Sequence, residues 1–284
     1  MPQIAYQTQY RQEFIHGFED RQSRLRSTTV QETVIKGNKA TFLVADSGSA
    51  AASTRGVNGL IQARADNLTQ NTATLKEWHD LVRKTGFNVF ASQSDQKRIM
   101  QETSMAVINR KIDDDIITVL DTATNDTGTS AIATLDMVAK SKTILGDNFV
   151  PCEEEDNMFG LITPAFDAYL MQVSEYASAD YVSVQPFTGP ARMFKRWYGI
   201  NWIVHPRLTG SVGAGGAGTT EQCYLYHRNA IGHAVDKETM QSPVGYDEEQ
   251  DYSWARCTVF MGSVLLQNSG VVQMKHDASA YGAS

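Results

Sequence analysis

The stretch Ser92–Thr124, SQSDQKRIMQETSMAVINRKIDDDIITVLDTAT, decides how the rest of the chain is read. Ile99, Met100, Thr103, Ala106, Val107, Arg110, Ile112, Ile116, Val119, Leu120 and Ala123 recur at intervals of mostly three and four, with no Gly or Pro among them. That spacing returns side chains to one stripe of an α-helix. Ser92, with Asp95 three residues on, resembles a capping pair. At about 1.5 Å rise per residue such a helix would reach about 50 Å, more than the thickness of a small domain, so it reads as a strut. Asp113-Asp114-Asp115 lies within it. Consecutive helical residues point about 100° apart, so the three carboxylates do not converge on one cation. A solvated face or an acid–base contact between subunits is expected, with Asp113 and Asp114 as contact residues.

Ahead of the strut the chain carries little core. Tyr10, Phe14, Phe18 and Leu25 stand among polar residues, with Arg11, Arg21, Arg24 and Arg26 around them. Phe14 and Phe18 share a helical face, but an isolated arm of this length is marginal in water. Thr28–Ile35 and Ala40–Val44 are β-rich runs flanking Lys36-Gly37-Asn38-Lys39, and they predict a hairpin. Ser47–Gly56 is small, polar and without period, as the tip of an extended loop would be. Trp78, Leu81 and Val82 are spaced three and four apart, which predicts a short segment with one apolar side. A two-stranded ribbon cannot bury both faces alone, so another surface must complete it.

Charge divides along the same line. The net charge is -7, yet residues 1–111 hold 15 Lys and Arg against 10 Asp and Glu, and residues 112–284 hold 10 against 22. Complementary fields of this kind can register one copy of a chain against another. With 42% hydrophobic and 20% charged residues, the composition is that of a soluble globular protein. No run approaches the roughly 18 apolar residues that cross a bilayer, so no membrane partner is expected. Cys152, Cys223 and Cys257 form no close pair, which suggests neither a disulfide framework nor a structural zinc site and fits a reducing cytoplasm.

Behind the strut the pattern is mixed α+β. Ser130–Leu145 predicts a helix stopped by Gly146, and Phe149–Pro151 and Met158–Thr163 predict strands around the acidic run Glu153–Asp156. Thr163 and Pro164 open a second helix expected over Ala165–Tyr176. Trp197–Val204, Gln222–His227, Ala230–Val235, Trp254–Met261 and Gly270–Lys275 read as strands. Two helices among several strands, with poor βαβ regularity, suggest mixed α+β rather than a doubly wound fold.

No constellation in the sequence predicts catalysis. Gly213–Gly218 matches a dinucleotide fingerprint by letter, but it leads into the strand-like Gln222–Tyr226 rather than a helix whose amino end could meet a pyrophosphate. His205, His227 and His233 are scattered, and the last two would stand nearly 20 Å apart in one straight strand. Nothing beside Cys152 lowers its thiol pKa. Arg21, Arg24, Arg26, Arg83-Lys84 and Lys97-Arg98 could touch phosphates, but an acidic chain without a basic–aromatic platform is a poor dedicated nucleic-acid binder. No cofactor, metal or catalytic residue is assigned.

The order of parts resembles the major capsid proteins of tailed double-stranded-DNA bacteriophages, the Hong Kong 97-type fold. The resemblance rests on the polar arm, the hairpin loop, Trp78-His79-Asp80-Leu81, the long helix through Arg110-Lys111-Ile112-Asp113-Asp114, the mixed α+β region, and the final Gly245-Tyr246-Asp247, Trp254-Ala255-Arg256, Gly262 and Val271-Val272-Gln273-Met274. It implies an N-terminal arm over 1–27, an extended loop over 28–75, and a peripheral domain over 76–129 with its spine helix at 92–124. An axial domain over 130–236 and return strands over 237–284 would complete the chain. The implied function is self-assembly, through hexamers and pentamers, into an icosahedral shell around the phage genome, in a virion put together in the bacterial cytoplasm.

The implied partners are further copies of the chain, a separate scaffolding protein since the sequence starts at the arm, a portal protein at one vertex, a decoration protein, and nonspecific contact with packaged DNA. Lys36, Lys39 and Asn38 do not suffice for the covalent cross-link found in part of the family. Arg11, Phe14, Phe18, Arg21, Val34, Phe42, Val44, Arg55, Asp113 and Asp114 are the expected inter-subunit contacts. The alternatives are another virion structural protein, of decoration or tail type, and a cytoplasmic oligomeric enzyme using the Gly213–Gly218 loop.

Overall fold

The computed structural model describes residues 22–34, 37–47, 50–57, 59, 61, 63–64, 67–91, 96–154, 156–174, 194–208, 221–236 and 241–281. In chain order the elements are strands β1 (Val30–Val34), β2 (Lys39–Asp46), β3 (Asn67–Thr74) and β4 (Lys76–Thr85), then helices α1 (Gly86–Ala91), α2 (Gln96–Leu120) and α3 (Leu135–Asp147). They continue with β5 (Met158–Ile162), α4 (Pro164–Leu170), β6 (Phe194–Trp197), β7 (Ile200–Val204), β8 (Glu221–His227), β9 (Ile231–Asp236), β10 (Val244–Asp247), β11 (Tyr252–Leu265) and β12 (Val271–His276).

The long helix is present as 25 residues, about 37 Å. Met100, Ala106, Ile108, Ile112, Ile116 and Leu120 are buried, while Val107 is exposed, so the stripe runs one residue off the expected one at that turn. Ser92 and Asp95 lie outside the described residues. α2 packs on β11, whose Cys257, Val259 and Met261 are buried. The sheet behind it runs β1-β9-β11-β10, with β4 also paired along β11 from Tyr252↔Thr85 to Met261↔Lys76. A second sheet runs β12-β8-β5-β7-β6. Its Trp202, Tyr224 and Tyr226, with Phe166 of α4, are essentially inaccessible and continuous with the core under α2. Gly160 makes room for Trp202, since a Cβ there would stand 2.6 Å from the indole.

Several local expectations are corrected. The hairpin does not join Thr28–Ile35 to Ala40–Val44. Val30–Val34 instead pairs in parallel with Gly232–Asp236, and β2 pairs antiparallel with β3 from Lys39↔Thr74 to Asp46↔Asn67. Gly37 does bend the chain, with φ 99°, but the strands it separates go to different sheets. The segment around Trp78 is longer than expected. It is the ten-residue strand β4, with Trp78, Asp80, Val82 and Lys84 turned inward in alternation.

α3 begins at Leu135 because Ala131 is drawn into a bridge with His276, and Thr134 caps the helix by accepting from the Met137 N–H. Gly146 does not stop it. Phe149 takes the left-handed position, φ 59°, while its N–H bonds the Gly146 carbonyl and the Val150 N–H bonds Leu145, the two bonds of a Schellman closure. Phe149–Pro151 is therefore no strand. Thr163 caps α4 and Pro164 opens it, but the helix ends at Leu170 rather than Tyr176. The Trp197–Val204 run is part of a hairpin, turning at Tyr198 (φ 58°) and Gly199 (φ 71°).

Candidate assembly surfaces

The β2–β3 ribbon presents two faces because successive strand residues alternate. On one, Ala40, Phe42 and Ala73 are buried with Ala234 of β9 in a small second core. Val44 is half-buried on that face, and Val34 of β1 packs against the same core. On the other, Leu43 is 62% and Leu68 57% exposed, two positions the register sets close together through Ala45↔Leu68 and Leu43↔Gln70. Between the strands Val57 and Ile61 are also exposed, as is Arg55. Phe42 is therefore a residue of its own chain's core, and the outward apolar positions are Leu43 and, diagonally across the ribbon, Leu68. The alternation is readable in the sequence, but choosing the inward face needs the position of β9.

The solvated face expected for the aspartate run is also corrected. Asp113 is 2% exposed and sits at the meeting of three segments. It accepts from Ser23 Oγ at 2.6 Å, from the backbone N–H groups of Arg24 at 3.1 Å and Leu25 at 3.2 Å, and from His205 Nε2 at 3.3 Å. Asp114 holds the Arg207 guanidinium through two bonds of 3.0 and 2.9 Å. Both carboxylates are thus engaged within one chain, and Leu25, completely buried, plugs the main core beside them. Nothing in the local sequence around Asp113 signals this, because its partners lie about 90 residues away on either side. Arg11, Phe14, Phe18, Arg21 and the Gly213–Gly218 loop lie outside the described residues.

His205, His227 and His233 do not gather. His205 bonds Asp113, His233 bonds Ser263 Oγ at 3.0 Å in the first sheet, and His227 receives the Asn229 N–H in the second. Among the described residues no group of three His, Cys, Asp or Glu is placed to hold a metal ion. Among the described residues, the arrangement nearest to a nucleophile is Cys223, whose Sγ lies 3.6 Å from His276 Nδ1, with Thr163 Oγ1 and Glu221 on the far nitrogen. Cys223 and His276 are wholly buried, and burial pushes the thiol up to about 12. A thiol held protonated out of reach of solvent is a packing group.

The described residues form a two-sheet α+β body with a strut helix and a ribbon whose outer face leaves Leu43 and Leu68 open. The family described as phage capsid protein matches residues 3–278, and the chain belongs to it. A structure from Mycobacterium phage Che8 has a TM-score of 0.72 at 12% identity, covering 96% of this chain and 97% of that one. The capsid of a native GTA particle gives 0.72 at 12% identity, covering 97% and 96%. A structure from Gordonia phage Cozz gives 0.71 at 12% identity, covering 96% and 91%. No curated protein matches the sequence. The fold is the Hong Kong 97-type, and the protein is a major capsid protein, built to work as many copies of itself.

Proposed function

We propose that the chain acts solely as a structural subunit, joined in hexamers and pentamers by its ribbon and by the residues before Gln22. The observation that carries this reading is the Leu43–Leu68 face, with Val57 and Ile61 beyond it. Apolar side chains left open on a two-stranded ribbon call for a covering surface, and in a closed shell of identical chains that surface is the next copy. Arg55, exposed in the same segment, supplies a charge for the acidic body of the neighbour.

On this reading residues 1–27 are the arm and 28–75 the extended loop. Residues 76–129 and 237–284 form the peripheral domain about α2, and 130–236 form the axial domain. Arg11, Phe14, Phe18 and Arg21 serve as arm contacts. Val34 and Val44 lie at the edge of the second core, where a neighbour's surface could extend it. A scaffolding protein, a portal protein and a decoration protein are the further partners that a genome-filled shell of this class calls for. Packaged DNA meets the shell through scattered basic residues, and assembly takes place in the host cytoplasm before the protein resides in the virion.

The test is deletion of residues 1–21, which spares the donors to Asp113 and the buried Leu25. The shortened protein is expected to melt with the parent and to give no full-size shells by negative-stain imaging. Full-size shells at undiminished yield would remove the arm from the account. Tubes or rings from the intact chain would favour a tail or decoration role.

A further inference from the structure

The junction at Asp113 joins three distant segments of the chain through one side chain. Each carboxylate oxygen receives two donors: Oδ1 from Ser23 Oγ and the Leu25 N–H, Oδ2 from the Arg24 N–H and His205 Nε2. Three donors come from the start of the described chain and one from the exit of β7. A carboxylate this deeply buried is tolerable only when its lone pairs are filled, so losing any donor weakens the hold on the rest.

A second layer closes the ring. The Arg24 guanidinium reaches the carbonyl of Val204, the last residue of β7, at 2.9 Å. The Arg207 N–H donates to His205 Nδ1 at 3.2 Å, which leaves the imidazole proton on Nε2, facing Asp113. Arg207 then returns to α2 through its paired bonds to Asp114. Below the ring, Leu25 is buried and Thr28 Oγ1 shares a 2.7 Å bond with Tyr226 of β8. Residues 23–28, the middle of α2 and His205–Arg207 therefore form one hydrogen-bonded circuit.

We infer that Asp113 is a positioning residue that locks the root of the N-terminal segment to the spine helix and to the exit of β7 together, so that the segment's direction of departure and the placement of the β7 exit are coupled. Its use in assembly rests on the capsid reading, whereas the coupling itself is a property of the single chain. A pull on the arm by a neighbouring copy would reach Val204 and His205 through this circuit, some 180 residues along the sequence.

Hydrogen–deuterium exchange on full-length, unassembled protein tests the coupling, read on peptides covering residues 22–28 and 204–208. Ser23→Ala removes one donor on the arm side only, and is expected to speed exchange of the Arg207 amide about tenfold, the scale of a lost bond to a charged group. Asp113→Asn is expected to speed exchange in both peptides. Should Asp113→Asn fail to fold, Arg207→Ala gives the reverse reading, with faster exchange expected at the Arg24 and Leu25 amides. Unchanged Arg207 exchange in Ser23→Ala, or unchanged Arg24 and Leu25 exchange in Arg207→Ala, overturns the coupling. Imaging of shells from the same variants is scored separately: coupled exchange in a chain that never forms shells counts against the capsid reading alone.

Discussion

The ring of Phe42 lies across Gly232, so closely that a Cβ added to the glycine would stand 2.9 Å from two of the ring's carbons. This contact fastens the base of the ribbon to β9 and gives the loop a fixed origin. Gly232→Val suits a strand by propensity but collides with the ring, and is expected to lower stability by about 1–3 kcal/mol in chemical denaturation. Combining it with Phe42→Ala should give a loss smaller than the sum of the two, because one collision is shared.

The two faces of the ribbon should separate folding from assembly. Phe42→Ala, at a buried position, is expected to cost about 3–5 kcal/mol of stability. Leu43→Glu with Leu68→Glu should leave the melting temperature nearly unchanged while abolishing shells by imaging. Shells of normal yield from the double variant would show that this face is not covered in the assembly.

Acid should weaken the fold through its buried histidines. Burial, the largest cause in each case, lowers His233 and His276 to about 4, and it lowers His227 as well. The unfolded chain, with histidines near 6.5, binds protons that the folded chain refuses, so stability is full above about pH 6.5 and falls as pH drops towards about 4. Asp126, Asp247 and Asp277 are lowered by hydrogen bonds from Lys275, the Gln250 backbone and Ser279 respectively, so their losses come below the usual carboxylate range. Melting temperature measured from pH 7.5 to 4 should decline, and His276→Gln should flatten the slope if the variant folds. A flat profile in the parent chain would contradict the assignment.

Phe149 closes α3 in a conformation that glycine adopts without steric cost, and its ring is 91% exposed. Phe149→Gly is expected to raise stability by about 1 kcal/mol in denaturation experiments. If stability rises while shell yield falls, the ring is retained at a strained site for contact with another copy.

The long helix, the Thr163–Pro164 start of α4 and the strands β5, β8, β9, β11 and β12 are legible because each is written in a local period or cap. The ribbon is half legible. Its existence shows in the sequence, but Val30–Val34 reads as part of it, since nothing in those five residues names a parallel partner two hundred positions away. β3 lies within the extended loop expected over 28–75 with no strand of its own predicted, because NLTQNTAT is polar, as a strand with little buried surface can be. β4 reads only as a short segment with one apolar side because Trp78, Leu81 and Val82 are spaced three and four apart, whereas in the strand Leu81 falls on the exposed face.

By itself the sequence determined the class of the protein: a helix too long for a small domain, a front without a core of its own, and no convergent chemistry, in an order that resembles a capsid subunit. Only the tertiary structure decided which ribbon face is free, which strand completes the hairpin, and that Asp113 is an internal anchor rather than a charged surface. Periodicity is a property of neighbours along the chain and survives in one dimension. A buried carboxylate is defined by donors from Ser23 to His205, and no local pattern carries that distance.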